Sequence, residues 1–338
     1  MENYNQKLET LLSKFGEIIN DKCATGPYLP LEYDKYFCCA YKNIKDLNVD
    51  IESINLLTSN PRLYEMIDNP IKNQRAGLLL SALIDKAVKK GEKIQIKTLM
   101  PINCLFYKLE NLEAHVNMAG DDLGSRAKNS KIFADKTGHS AGSYMDNCEL
   151  HVREAVSYLG NKAKNSKIYA DKTVDCTGRG IDNCELHVRE ACNDLGSRAK
   201  NSRIYADKTG HSAGSYMDNC ELHVREAGNN LGTYTSNSKI YADKTGHSAG
   251  SYMDNCELQV NIAGDYLGHG AKNSKIYAAY EAGNNAGKKM KNSQLFIDKL
   301  DGKLKGNLRI KNRIYLGKES YEHHPVIYRL TRVKILEK

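Results

Sequence analysis

Histidine, tyrosine and cysteine recur in this chain at fixed spacings, and these are residue types that can do chemistry. Every eighteen residues one position reads Phe133, His151, Tyr169, His187, Tyr205, His223, Tyr241, Gln259, Tyr277. Imidazoles among aromatic rings could shuttle protons, ligate a metal or form a flat binding face. Tyr169, His187, Tyr205, His223 and Tyr241 are therefore the candidate binding column. If eighteen residues make one lap of backbone, histidines two laps apart stack about 9.6 Å apart, twice the strand spacing. Zinc ligands sit about 2.0–2.1 Å from the metal, so no zinc ion bridges them. The plainer reading is an outward column of stacked cross-strand pairs.

The other reactive types read as structural. Cys148, Cys184, Cys220 and Cys256 recur every 36 residues, alternating with serine, as expected of a small core-filling position. No CxxC pair occurs, which argues against a zinc ribbon. Cys38 and Cys39, with Cys23, are expected to be a buried pair near the N-terminus. His139, His211 and His247 fall in glycine-rich corners and read as solvated turns. No Ser-His-Asp arrangement, phosphate loop or paired-carboxylate motif stands out. The expectation is a protein that is not an enzyme and uses no cofactor or metal.

The period that places these residues is set by asparagine. Asn129, Asn147, Asn165, Asn183, Asn201, Asn219, Asn237, Asn255 and Asn273 lie eighteen apart, preceded by Asn111 and followed after nineteen by Asn292. Steps are counted below from each asparagine. Step 3 is Ile or Leu, as in Ile132 and Leu150, and step 5 is Ala or Val, as in Ala134 and Val152. Apolar residues two apart between polar ones mark a short strand. Glycines follow at steps 9 and 13, as in Gly138 and Gly142, and a small or apolar residue at step 16. Two glycines per unit would cost a helix about 1 kcal/mol each. The pattern is instead a lap of a β-solenoid. Asparagine tolerates the left-handed backbone region and its amides stack, so the asparagine column is expected to be structural, at a corner.

Two sentences alternate, making the true period 36. Step 2 runs Lys131, Glu149, Lys167, Glu185; step 6 runs Asp135, Arg153, Asp171, Arg189; step 7 runs Lys136, Glu154, Lys172, Glu190. Identical laps would stack like charges, which is destabilising across strands. Alternation turns each column into opposite-sign pairs and disfavours a slip of one lap.

The string GHSAGSYMDNCELQVNIAGDYLG (246–268), with its glycine turn before a strand, resembles the glycine-repeat (GXGXG) right-handed β-helix domain shared by glutamate synthase large subunits and one of the formylmethanofuran dehydrogenase subunits. AGNNAGKKMKNSQLFI (282–297) has the same look, and the resemblance covers about 111–297. The chain departs from that family in carrying Asn-Ser or Asn-Cys where a Gly-Gly doublet is usual, and in losing glycines at Val156, Val174 and Cys192. The resemblance implies a right-handed, non-catalytic scaffold that docks to catalytic domains or subunits, here a multi-subunit oxidoreductase. The left-handed hexapeptide helix also has eighteen-residue coils, but six and twelve steps past Ile132 stand Gly138 and Tyr144, against its rule of an aliphatic residue every sixth position.

The expected architecture is mainly β: a right-handed β-solenoid of 18-residue coils over 93–317, an α-helical N-terminal cap over 1–92, and a basic capping segment over 318–338. The cap holds a helix over 6–20, turn-rich pieces including TGPYLPLEYDKYFCCAYKNI, and a helix over 73–90 stopped by Gly91; KIQIKTL (93–99) starts a degenerate first lap. LRIKNRIYL and VIYRLTRVKIL read as closing strands. From Lys288 to Lys338 there are 14 Lys or Arg against 5 Asp or Glu, a net +9, while the whole chain carries +8. That segment could bind nucleic acid through phosphates, although it has no base-reading motif. No apolar run reaches the roughly 18–20 residues of a membrane span, and the acidic N-terminus is no secretory signal, so no membrane association and a cytoplasmic location are expected. The first functional expectation is a scaffold for an unidentified protein partner.

Overall fold

A computed structural model describes residues 2–20, 30–300 and 312–316. The chain falls into two compact units, Met1–Ala170 and Asp171–Lys338. It is a parallel β-solenoid preceded by helices, with laps of about eighteen residues.

The first unit opens with five helices. In α1 (Glu2–Asn20) the stripe Leu11, Leu12, Phe15, Ile18 and Ile19 is buried, as helical periodicity requires. α2 (Pro30–Asn43) corrects the turn-rich expectation for its stretch. Tyr36 and Ala40, one helical turn apart, are buried at 3 % and 1 % exposure, a stripe too short to read beside the Gly26-Pro27 punctuation. The helix also overturns the buried cysteine pair: Cys38 is exposed and Cys39 half-buried, since both lie off the Tyr36–Ala40 stripe. Cys23 lies outside the described residues. α3 (Ile51–Thr58), α4 (Pro61–Met66) and α5 (Pro70–Ala87) start where Asp50, Asn60 and Asn69 accept the backbone N–H of Ser53, Arg62 and Lys72. α5 is buried from Ala76 to Ile84.

Past Gly91 the solenoid begins with β1 (Lys93–Ile96), followed by β2 (Glu113–Met118), β3 (Lys131–Thr137) and β4 (Glu149–Ala155), each pairing in parallel with the next. β5 (Lys167–Thr173) spans the division between the units. In the second unit β6 (Glu185–Ala191), β7 (Arg203–Thr209), β8 (Glu221–Ala227), β9 (Lys239–Thr245), β10 (Glu257–Ala263), β11 (Lys275–Ala282), β12 (Gln294–Leu300) and β13 (Arg313–Leu316) pair in chain order. The extra residue before Asn292 is a bulge in β11 that leaves Tyr280 64 % exposed. Residues 301–311 and 317–338, including the basic capping segment and VIYRLTRVKIL, lie outside the described residues. Among the described residues no helix is long and apolar enough to cross a membrane.

Each lap has a strand and a turn arc. On β3, β4 and β5 steps 3, 5 and 8 are buried while steps 4, 6 and 7 face outward. In the arc, step 13 is glycine because its backbone is left-handed and a Cβ would strike the core. At Gly142 (φ +66°) that Cβ would lie 2.5 Å from Leu150 Cδ2.

The 36-residue period is also a packing device. Laps with alanine at step 12 carry methionine at step 16, as in Ala141–Met145, Ala213–Met217 and Ala249–Met253. Neighbouring types reverse the sizes, as in Leu123–Ala127, Leu195–Ala199 and Leu267–Ala271. All twelve side chains are buried, so alternate laps exchange volume from one side of the arc to the other.

Candidate functional site

Polar side chains run along the laps in columns, and the first two are closed on themselves. The first is step 4. In the first unit His115, Phe133, His151 and Tyr169 stack with ring centroids 4.3, 4.7 and 4.5 Å apart. In the second, His187, Tyr205, His223 and Tyr241 stack at 4.7, 5.1 and 4.6 Å. Nε2 of His151, His187 and His223 lies 2.7, 2.6 and 2.8 Å from a carboxylate oxygen of Glu149, Glu185 and Glu221 on the same strand. Both faces of His151 and of His223 are therefore covered by rings and the outer nitrogen is engaged. The candidate binding column offers ring edges, not faces.

The second closed column is the asparagine corner. Asn129, Asn147, Asn165, Asn183, Asn201, Asn219, Asn237, Asn255 and Asn273 all hold φ between +48° and +54°. Their amides alternate between two partners. Asn147, Asn219 and Asn255 donate to the preceding asparagine at 2.8–2.9 Å. Asn165, Asn201, Asn237 and Asn273 donate to the aspartate of the preceding lap at 2.7–2.8 Å.

Step 10 holds a function that sequence reading missed. His211 Nδ1 accepts the backbone N–H of Asn229 at 3.1 Å, and His247 Nδ1 accepts that of Asp265 at 3.0 Å. Asn103, Asp121, Asp175, Asn193, Asn229 and Asp265 do the same for the next lap through Oδ1. Asp, Asn and His share an acceptor atom two bonds from Cβ, and that common capacity was the available signal. His139 occupies the same step, and its own N–H goes to Asp121. The cysteines at step 1 are buried, and burial raises the thiols of Cys148 and Cys220 to about 11.

The surface beside these columns is open. In the second unit a groove of about 650 Å³ follows steps 11, 14 and 15 of successive laps. Its floor is Ser197, Ser215, Thr233 and Ser251, all at least nine-tenths buried. Ser215 and Thr233 hydroxyls bond each other at 2.9 Å, whereas among the described residues Ser251 Oγ has no hydrogen-bond partner. One wall is Tyr216, Tyr234 and Tyr252, stacked at 5.1 and 5.0 Å with planes within 8°. The other is Asp194, Ser212, Asn230 and Ser248. Arg179 and Arg198 stand at one end; at the other stands His269, whose imidazolium is disfavoured by burial and then by Lys289 and Lys288.

The tyrosines are held at φ +60°, +57° and +58°. Left-handed backbone costs a non-glycine residue about 1–2 kcal/mol, and Gly270, at the same step, shows that the lap closes without a side chain there. Stacking returns about 0.5–1.5 kcal/mol per pair. Their rings remain 45–55 % exposed.

Among the described residues no cluster of His, Cys, Asp and Glu is arranged to hold a metal ion. Comparison with family models, curated proteins and solved structures finds no match.

Proposed function

We propose that the chain is a non-catalytic protein-interaction scaffold whose partner-contacting face is the groove of the second unit. The observation that carries this reading is the contrast between columns. The step-4 rings and the asparagine amides satisfy one another, whereas the groove presents four tyrosines, two arginines and, among the described residues, a buried hydroxyl without a hydrogen-bond partner. Tyrosine and arginine are types enriched where protein partners bind tightly, and both bring large contact area together with hydrogen-bonding groups. The oxidoreductase role implied by the resemblance is a special case, in which the partner is a catalytic subunit.

A photo-crosslinking amino acid placed at Tyr234 and, as a control, at Lys167 on the strand face tests the reading in cells. A discrete protein adduct from position 234 alone is expected. Equal, diffuse adducts from both positions, or none from either, would remove it.

A further inference from the structure

The first unit shows what covers this arc when something does. There α2 lies on steps 11, 14 and 15, the same three columns that line the groove. Tyr33 donates through its hydroxyl to Asp122 Oδ2 at 3.1 Å (step 11). Asp34 accepts from Tyr107 Oη at 2.7 Å (step 14), pairs with Lys108 Nζ at 2.7 Å (step 15), and pairs with Arg126 (step 15). Phe37 and Tyr33 pack edge-on to the Tyr107 ring, with centroids 5.6 and 5.9 Å away.

The surface under α2 is written twice. DLGSRAKNS stands at 122–130 and, letter for letter, at 194–202. Asp122, Ser125 and Arg126 thus have their equivalents in Asp194, Ser197 and Arg198, at one end of the groove. In this second copy, Arg179 replaces Tyr107 and Gly180 replaces Lys108, so two cations are again at hand. Among the described residues the Asp194 carboxylate takes no hydrogen bond and Arg198 makes no ion pair. The Arg198 guanidinium rests 5.8 Å from the Tyr216 ring centroid, and Tyr216 stands where Tyr144 stands relative to the first copy.

From this repetition we infer that the Asp194–Arg198 end of the groove is a second helix dock, which takes a partner-protein helix bearing a Tyr-Asp pair with an aromatic residue three positions after the acid. The inference rests on the scaffold reading and deepens it. Asp34 shows how the carboxylate is held: two cations meet it in the first copy, and Arg179 and Arg198 would meet it in the second. A neutral glycan would leave both guanidiniums and Asp194 without charged partners. The chain's own α2 is not the occupant, because Tyr36 and Ala40 bury it in the cap and Tyr36 Oη is bonded to Ile18 O at 3.0 Å.

The probe is a stapled, fluorescent peptide of residues 30–43 with both cysteines changed to serine, titrated with the full chain by anisotropy. Stapling is needed because an isolated helix this short is marginal in water. Saturable micromolar binding is expected. Arg198→Glu in the chain, or Asp34→Lys in the peptide, should each weaken it at least tenfold, and combining the two should recover part of the loss. Arg198→Lys should retain most of the affinity, and an unchanged melt of Arg198→Glu guards against misfolding. Absence of saturable binding, or binding that Arg198→Glu leaves intact, overturns the inference. So does concentration-dependent dimerisation that Asp34→Ala abolishes, since the occupant would then be a second copy. Peptide failure with the position-234 adduct preserved sinks the helix dock alone; loss of the adduct sinks the scaffold.

Discussion

Asn147 donates through Nδ2 to Oδ1 of Asn129, one lap earlier, at 2.8 Å, and the two backbones hold φ +52° and +48°. One side chain thus provides both the left-handed corner and a bond between laps. Replacing Asn147 by glycine removes only the bond, while alanine removes the bond and adds backbone strain. The expected cost is about 1 kcal/mol for Asn147→Gly and about 1–2 kcal/mol more for Asn147→Ala. Urea denaturation of the two variants checks the order; equal midpoints would refute it.

A test of the arc uses two glycines with positive φ. At Gly214 a Cβ would meet Leu222 Cδ2 at 2.6 Å and Met217 Cε at 2.8 Å, while at Gly91 nothing lies within 4 Å. Gly91→Ala should cost about 1 kcal/mol, from backbone strain alone. Gly214→Ala should cost about 2–4 kcal/mol, because overpacking adds about 1–3. Thermal melts of both distinguish strain from collision.

Acid should release α2 late. Burial raises the Asp34 carboxyl, but hydrogen bonds from Lys108 and Tyr107, with the charges of Lys108 and Arg126, outweigh it and hold it below the usual carboxylate range. A carboxyl depressed in the folded state contributes stability above its unfolded value, about 3.9, and loses it as pH falls through the folded value. The urea midpoint should therefore lose the Asp34 contribution only below about pH 4. Asp34→Asn should remove that contribution and cost about 1–2 kcal/mol at pH 7, less than a buried pair because the carboxylate is partly solvated. An unchanged acid profile in Asp34→Asn would contradict this.

Cysteine labelling should split by burial. Cys38 and Cys192 are exposed and should react with iodoacetamide within minutes at pH 8. Cys148 and Cys220, buried with thiols raised to about 11, should label only on unfolding. Peptide mass spectrometry of native and urea-treated protein reads both classes. Native-state labelling of Cys220 would mean that the lap opens far more readily than its packing implies.

The lap was legible because its signals are local: Ile132 and Ala134 two apart, Gly142 at a corner, Lys131 answered by Glu149 eighteen residues on. α2 was not, because its buried stripe is only Tyr36 and Ala40 and its reason for folding is contact with Tyr107, 73 residues away from Asp34. The step-10 acceptors were hidden by a change of letter at constant function. The groove was hidden because it arises from what is small, Ser215 and Ser251 beneath left-handed tyrosines, and no single motif spells a hollow.

The exchange between Ala141–Met145 and Leu123–Ala127 sets a unit of growth for such a chain. Adding one lap by gene duplication would set methionine against methionine, leave alanine facing alanine across a gap, and bring lysine beside lysine on the rim. Adding two laps keeps the alternation of size and charge. Lineages of this molecule should therefore differ in length by multiples of 36 residues, and an odd lap should survive only at an end.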